Sequence, residues 1–228
     1  MARQTLLIDA DDTLWENNIF FEQMIEAFLD RLEPLGFSRE YIRHILNETE
    51  RRNIRQHGYG VRSFRRSLEE TYLKLAGNFA KREIVREIEE SAEQLEQTPP
   101  QILDGIPETL AYLAERHRLI LLTKGEAAEQ AAKVERSGLQ KFFEAIEIVP
   151  EKDHPTYERV VNQFRVVKSH SWMVGNSPRS DINPALRIGL NAVFIPHSAT
   201  WELEKTQLES GTGKLLILAT FREMRGHF

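Results

Sequence analysis

Five short apolar segments, each ending in polar or turn-forming residues, constrain the fold of this chain more than any other feature. They lie at Thr5–Ile8 and at residues 119–122, 146–149, 171–174 and 192–195. Helical patterns alternate with the last four of them, at residues 106–116, 127–137, 156–164 and 180–188, the last beginning with Ser180 as its N-cap. This alternation predicts an α/β fold with a doubly wound, Rossmann-like parallel sheet. Because ligands of such sheets bind beyond the carboxyl ends of the strands, the polar residues that follow the five segments are expected at one edge.

Residues 17–98 have a different pattern, without a convincing strand. Turn signals rich in glycine and proline separate four helical segments, which lie at residues 19–32, 39–55, 63–75 and 81–95. Such a block predicts an all-helical domain inserted after the first strand. The catalytic core is then expected to consist of residues 1–16 and 99–228, with Thr98-Pro99-Pro100 as the linker that returns to it.

Composition excludes several classes of function. The 228 residues include no cysteine, which rules out disulfides, zinc–thiolate sites, iron–sulfur clusters and a thiol nucleophile. The formal net charge of −5 argues against a general nucleic-acid-binding protein. The sequence has no apolar run long enough to span a membrane and no signal-peptide pattern, so we expect a cytoplasmic protein without a membrane partner.

The segment Asp9-Ala10-Asp11-Asp12-Thr13 follows the first apolar run. Three carboxylates in four residues would repel one another in a dry site, and a divalent cation relieves that repulsion. In extended backbone the side chains of Asp9 and Asp11 lie on the same side, so one can attack phosphorus while the other protonates the leaving oxygen. The alternative is an acidic turn that caps the next helix.

Three further strand ends carry polar side chains. Thr123-Lys124-Gly125 offers a hydroxyl and free backbone amides for a phosphate group, or merely a helix N-cap. Lys152 can offset the charge of a nucleophilic carboxylate and a phosphoryl group, or can be a solvated surface lysine. Asn176 and Asp181 provide oxygen ligands that suit magnesium, or form an ordinary turn and helix start.

Taken in chain order, these segments resemble the four motifs of the haloacid dehalogenase (HAD) superfamily of hydrolases. The resemblance spans essentially the whole chain, and the helical insert lies where the family's type 1 cap domain lies. The matching residues are Asp9, Asp11 and Thr13 for the first motif, Thr123 for the second, Lys152 for the third, and Asn176 with Asp181 for the fourth. Two positions depart from the family pattern: Asp12 stands where glycine is frequent, and Asn176 where aspartate is usual.

The resemblance implies a magnesium-dependent phosphatase that acts on a small phosphorylated metabolite. Asp9 is expected to form an aspartyl-phosphate and Asp11 to act as general acid and base. The implied residues are Asp9, Asp11 (through its carbonyl), Asn176 and Asp181 for Mg²⁺, and Asp12, Thr13, Thr123, Lys124, Gly125 and Lys152 for phosphate. Because halide leaves unprotonated, the acid at position 11 favours phosphoryl transfer over dehalogenation. A phosphomutase and a catalytically weakened regulatory protein that binds magnesium or phosphate remain alternatives.

The loop between the second and third helices of the insert holds Tyr59 and Arg62. Two glycines allow an unusual backbone path there, and a phenol and a guanidinium group suit a polar or anionic substrate. We expect both residues to contact the leaving-group half of the substrate; the alternative is a solvated turn. Sugar phosphates, nucleoside monophosphates, phosphoglycolate and phosphorylated cofactors all fit this pattern, which does not indicate an oligomeric state.

Overall fold

The computed structural model of this protein describes residues 3–228, which contain eight strands. In chain order they are β1 Thr5–Ile8, β2 Trp15–Glu16, β3 Gln101–Ile102, β4 Arg118–Lys124, β5 Ala145–Val149, β6 Ser171–Gly175, β7 Asn191–Phe194 and β8 Leu215–Ile217. Six of them form one sheet in the order β5-β4-β1-β6-β7-β8, with every neighbouring pair parallel. The predicted parallel α/β fold is therefore confirmed.

The position of β1 determines where a ligand can bind. Its residue Ile8 is paired with Leu121 of β4 on one side and with Val174 of β6 on the other. After β1 the chain builds the sheet outward through β4 and β5, then returns to β6 on the opposite side. The strand order thus reverses beside β1, and such a switch point leaves a crevice at the carboxyl ends of the strands.

The helices of the described residues are, in chain order, α1 Asn18–Leu32, α2 Arg39–His57, α3 Val61–Ala76, α4 Arg82–Gln97, α5 Ile106–Ala114, α6 Ala127–Ser137, α7 His154–Gln163 and α8 Asn183–Arg187. Two apolar clusters cover opposite faces of the sheet, one including Ile8 and Leu121, the other Leu7 and Ile120. Alternate strand residues therefore enter different clusters, as the two-residue repeat of a strand requires. No helix within residues 3–228 is both long and apolar enough to cross a membrane.

The chain divides into two compact units, one of residues up to Asn18 together with Pro99–Phe228, the other Ile19–Thr98. The second unit consists of α1 to α4 around its own apolar core, which includes Leu32, Leu46 and Leu68. The structure also contains strands that the sequence patterns did not predict. The paired segments β2 and β3 have two residues each, and β8 is a three-residue edge strand whose Ile217 is exposed.

The prediction that a helix begins with Ser180 as its N-cap was wrong, because the helical backbone already begins at Pro178. A π-helical turn, Pro178–Ile182, precedes α8, and Ser177 rather than Ser180 is the N-cap, since its hydroxyl accepts a hydrogen bond from the Ser180 N–H. The proline at the first position of the turn has no N–H to satisfy, which makes it compatible with a helix start. π-Helical turns are frequent at functional sites.

Candidate functional site

A buried lysine links the first, third and fourth polar segments. The Nζ of Lys152 lies 2.5 Å from Oδ1 of Asp9 and 2.7 Å from Oδ1 of Asp181. Asp9 follows β1 directly, and its N–H continues the ladder to the carbonyl of Val174. The lysine is 3% exposed, so the solvated alternative for this residue does not apply. Three residues far apart in the sequence thus meet at the predicted edge of the sheet.

Thr13 and Asn176 lie on the other side of Asp9. The hydroxyl of Thr13 donates to Oδ2 of Asp9 at 2.9 Å and lies 3.4 Å from Oδ1 of Asn176. The amide nitrogen of Asn176 donates to Thr200 at 3.2 Å, which directs its oxygen toward Thr13. The structure therefore brings together five predicted residues: Asp9, Thr13, Lys152, Asn176 and Asp181.

The charges at this site do not balance. Burial is the largest influence on Asp9 and, with the neighbouring Asp181, raises its pKa to about 7 although Lys152 lowers it. Burial alone would lower the pKa of Lys152, but the two carboxylates raise it above its ordinary value. Two carboxylates and one ammonium group leave an excess of negative charge among hard oxygen ligands. This donor set fits a divalent cation such as magnesium.

The π-helical turn holds Asp181 in place. Its Oδ2 accepts the N–H of Ser177 at 3.0 Å, while the buried phenol of Tyr157 donates to the carbonyl of Ser180 at 2.9 Å. Gly175 is required here because a Cβ on it would overlap the carboxylate of Asp181. Burial, followed by the charges of Asp181 and Asp9, raises the pKa of Tyr157, so its hydroxyl stays a donor.

Asp11 makes a separate set of contacts. Its carboxylate accepts hydrogen bonds from Trp15 Nε1 and Gln130 Nε2, both at 2.8 Å, and from the Nζ of Lys133, 2.9 Å from each oxygen. Burial raises the pKa of Asp11, but the ammonium of Lys133 and the donated hydrogen bonds lower it by more, to a net value below the usual one. Gln130 also accepts the hydroxyl of Thr123 at 3.2 Å, which connects the second predicted segment to the first.

Lys124, predicted to bind phosphate, contacts a carboxylate that the sequence did not single out. Its Nζ lies 2.7 Å from Oε1 of Glu204 and 2.9 Å from the hydroxyl of Ser180. The other oxygen of Glu204 accepts the hydroxyls of Ser177 and Ser180, at 2.6 and 2.5 Å. Burial raises the pKa of Glu204, but Lys124 and the two hydroxyls lower it by more, to a net value of about 2. In this geometry Lys124 holds the turn after β6.

Glu204→Gln is expected to destabilise the core unit. A carboxyl group whose pKa falls on folding stabilises the protein above its unfolded-state pKa, and this contribution is lost as the pH falls toward the folded-state value. The shift from 4.5 to about 2 corresponds to roughly 3 kcal/mol at pH 7 and roughly 2 kcal/mol at pH 3.5. Urea unfolding at both pH values measures the effect, with Glu202→Gln, an exposed neighbour, as the control. Equal unfolding curves for the two variants would contradict the prediction.

Asp12 adopts the left-handed backbone conformation that favours glycine, with φ of 59°. Its carboxylate accepts the N–H groups of Asn17 and Asn18 at 2.9 and 3.0 Å, and its own N–H donates to the carbonyl of Trp15. Burial raises the pKa of Asp12 to about 6, although these N–H groups lower it. These hydrogen bonds lie within residues 12–18, and Oδ1 of Asp12 also lies 3.8 Å from Nδ1 of His197. The predicted contact of Asp12 with phosphate stays a prediction. Aspartate replaces glycine here because a short polar side chain tolerates this conformation.

Substitutions of Asp12 should therefore affect stability in a defined order. Asp12→Asn keeps a hydrogen-bond acceptor, so its free energy of unfolding should be close to that of the wild type. Asp12→Gly loses the acceptor but adopts the left-handed backbone without strain. Asp12→Ala loses the acceptor and also introduces backbone strain. We expect Asp12→Ala to cost about 2 kcal/mol and Asp12→Gly about half of that. Urea unfolding of the three variants tests the order, which an alanine variant as stable as the asparagine variant would refute.

Two other sets of residues have contacts of their own. Ligand atoms of Asp12, Glu16 and His197 lie within 4.8 Å of one another. His197 Nε2 lies 3.2 Å from Oε2 of Glu16, and its Nδ1 accepts the N–H of Ala199. In the helical unit, Arg62 is 85% exposed and lies 3.7 Å from Glu96. The predicted substrate contacts of Tyr59 and Arg62 stay a prediction.

Sequence reasoning missed Gln130, Lys133, Tyr157 and Glu204. A signal existed for the first two, since polar residues three apart on a helix that follows a strand end share one face. The helix α6 begins four residues after Thr123, which places this face near the strand ends. Tyr157 and Glu204 gave no comparable signal, because their partners lie more than twenty residues away.

Comparisons with known proteins agree with this fold. A family model described as haloacid dehalogenase-like hydrolase matches residues 4–189, whereas no match was found among curated proteins. A solved haloacid dehalogenase-like family hydrolase from Xanthomonas campestris is 29% identical, with a TM-score of 0.84 over 99% of this chain and 90% of that chain. The HAD-hydrolase YfnB from Bacillus subtilis, bound to magnesium, is 18% identical, with a TM-score of 0.65 over 100% and 99%. L-2-haloacid dehalogenase from Xanthobacter autotrophicus is 16% identical, with a TM-score of 0.65 over 98% and 97%.

Proposed function

Because this chain belongs to the haloacid dehalogenase-like hydrolase family, we propose that it is a magnesium-dependent phosphatase of small phosphate monoesters. The observation that carries the proposal is the carboxylate of Asp11, two residues after Asp9 and held by three side chains. Phosphate-ester cleavage needs a proton for the leaving oxygen, whereas halide leaves unprotonated. Similarity to haloacid dehalogenases concerns the fold alone and does not decide between the two reactions.

The residues around Asp9 suit a nucleophilic mechanism. Asp9 attacks phosphorus in line and forms an aspartyl-phosphate, while Lys152 offsets the charge of the reacting carboxylate. Asp11, whose pKa Lys133 lowers in the free protein, takes up a proton when the protonated phosphate ester binds, and gives it to the leaving oxygen as the ester P–O bond breaks. It then accepts a proton from the water that attacks phosphorus, and the bond between phosphorus and Asp9 breaks to release phosphate. Thr13 orients the second oxygen of Asp9 through its hydroxyl. Each group acts from a position fixed by burial and hydrogen bonds, which lowers the entropic cost of reaching the transition state.

Members of this family commonly bind a divalent metal, and magnesium is the ion that we propose here. Asp9, Asn176 and Asp181 would hold it, together with the carbonyl of Asp11. When bound, the ion supplies positive charge against the phosphoryl oxygens and against the two carboxylates that Lys152 only half neutralises. We further propose that the unit Ile19–Thr98 is a cap that contributes Tyr59 and Arg62 to substrate selection.

A direct assay tests the proposal. Purified protein is incubated with 4-nitrophenyl phosphate and with a panel of phosphorylated metabolites, with Mg²⁺ or with EDTA, and released phosphate is measured. 2-Chloropropionate is included as a halogenated substrate, with chloride release as the readout. We expect Mg²⁺-dependent phosphate release and no chloride release. Chloride release without phosphate release would assign the chain to dehalogenation instead.

Asp11→Asn should reduce turnover of alkyl phosphates by at least about a hundredfold, the usual contribution of a general acid–base group. The loss in kcat/KM should be smaller for 4-nitrophenyl phosphate, because nitrophenolate leaves without a proton. Both values are obtained from initial rates at saturating Mg²⁺. Equal losses of kcat/KM for the two substrate types would exclude the acid role of Asp11.

A further inference from the structure

Helix α6 carries two side chains that bind the carboxylate of Asp11. Gln130 and Lys133 lie three residues apart and therefore project from the same face of the helix. Gln130 Nε2 donates to Oδ2 of Asp11 at 2.8 Å, and Lys133 Nζ lies 2.9 Å from both oxygens. Trp15 completes the set, since its Nε1 donates to Oδ1 at 2.8 Å. Four short contacts from three donors leave the carboxylate little freedom to rotate.

The two helix residues are themselves held in place. The Oε1 of Gln130 accepts the hydroxyl of Thr123, so its amide cannot turn over without losing a bond at each end. Gly125 permits this approach, because a Cβ there would lie 2.8 Å from the side chain of Gln130. Lys133 also contacts Oδ1 of Asn17 at 3.1 Å, and its side chain is only 12% exposed. A buried polar network with satisfied partners is rigid.

We propose that Gln130 and Lys133 are positioning residues that fix the direction of the Asp11 carboxylate during phosphoryl transfer. The inference rests on the proposed phosphatase function. Proton transfer depends strongly on the placement of the donor, and a displacement of about 1 Å can cost on the order of a hundredfold in rate. Gln130 in addition joins Asp11 to Thr123, so the proton donor and the predicted phosphate-binding hydroxyl are held by one side chain.

A purely structural ion pair that anchors α6 to the sheet would use the same contacts. The two roles differ in how Lys133 and Asp11 depend on each other. A positioning residue acts through Asp11, so its removal should lower kcat/KM only while residue 11 can donate a proton. An anchor of the helix would affect all substrates equally, whether or not residue 11 is an acid.

The test is a double-mutant cycle of Lys133→Met and Asp11→Asn, read as kcat/KM for an alkyl phosphate and for 4-nitrophenyl phosphate. We expect Lys133→Met to lower kcat/KM about tenfold for the alkyl ester and less than about twofold for the nitrophenyl ester. In the Asp11→Asn background the same change should have almost no effect. Lys133→Arg, which keeps donors to both oxygens, should recover most of the loss. Arg136→Met, an exposed site on the same helix, is the matched control.

A second measurement is independent of turnover. The indole N–H of Trp15 donates to the same carboxylate, and its NMR resonance can be identified among the three tryptophans with a Trp15→Phe variant. We expect this resonance to shift in Lys133→Met and Gln130→Met and to stay unchanged in Arg136→Met. An unchanged resonance, or an equal loss of kcat/KM for both esters, would overturn the proposal. If the wild type hydrolysed neither ester, the phosphatase function would fail, while the Trp15 resonance would still decide whether α6 orients Asp11.

Discussion

Asp9→Asn is expected to lower phosphatase activity by at least about 10⁴-fold, a loss comparable to that of other removed nucleophiles. An amide cannot form the acyl phosphate and is a poorer magnesium ligand than a carboxylate. Phosphate release by the purified variant at saturating Mg²⁺ measures the effect. Asp104→Asn, an exposed aspartate paired with Arg222, serves as the control.

The same substitution should stabilise the metal-free protein. Burial and Asp181 raise the pKa of Asp9 to about 7, so ionised Asp9 costs folding free energy, and this cost grows as the pH rises from 3.8 toward 7. Asp9→Asn removes that cost, and its stabilising effect should be larger at pH 8 than at pH 5. Urea unfolding in EDTA at both pH values is the measurement. An inactive variant that was also less stable at pH 8 would indicate disruption of the fold and would leave the nucleophile assignment without support.

Lys152→Met should have the largest effect on stability among the site residues. Its ammonium group faces Asp9 and Asp181 at 2.5 and 2.7 Å, and its removal leaves two buried carboxylates without their shared counter-charge. Breaking a buried ion pair in this way costs about 3–5 kcal/mol. We also expect a loss of at least about a hundredfold in kcat/KM, because Lys152 offsets charge on the nucleophile. Urea unfolding and initial rates give the two numbers.

A matched control separates burial from charge in that experiment. Lys168→Met removes a half-exposed lysine that pairs with Glu158, and it should change stability by less than about 1 kcal/mol. If Lys152→Met were no more destabilising than Lys168→Met, the carboxylates at the strand ends would have another source of compensation, and the charge argument for a bound cation would weaken.

These predictions concern a site whose position follows from local sequence patterns. Thr5–Ile8 is a buried apolar run that ends at Asp9, and parallel strands place their carboxyl ends at one edge. The same reasoning placed Lys152, Asn176 and Asp181 near Asp9, and the contacts agree. It succeeded because strand periodicity and strand-end polarity are properties of a few neighbouring residues.

Other features depended on longer-range partners and could not be predicted. The acid pattern identified Asp11 but not the three donors that hold it, since Gln130 and Lys133 lie more than a hundred residues away. Lys124 lies at a strand end as phosphate ligands do, yet its partner is Glu204, in a short 3₁₀ helix without a motif. The start of the helix after β6 was misplaced because the π-helical turn is set by contacts with Tyr157 and Glu204, which no local propensity reports.

The sequence by itself determined the parallel α/β core and the helical insert, and it predicted which carboxylate reacts, because apolar periodicity and the polar ends of strands depend on neighbouring residues. Only the tertiary structure decided how each charged group is paired. It assigned Lys152 to two carboxylates, Lys133 to Asp11 and Lys124 to Glu204. Any of these lysines could pair with several acids in the unfolded chain. Burial selects the partners, because a charge removed from water must find a counter-charge within hydrogen-bond distance.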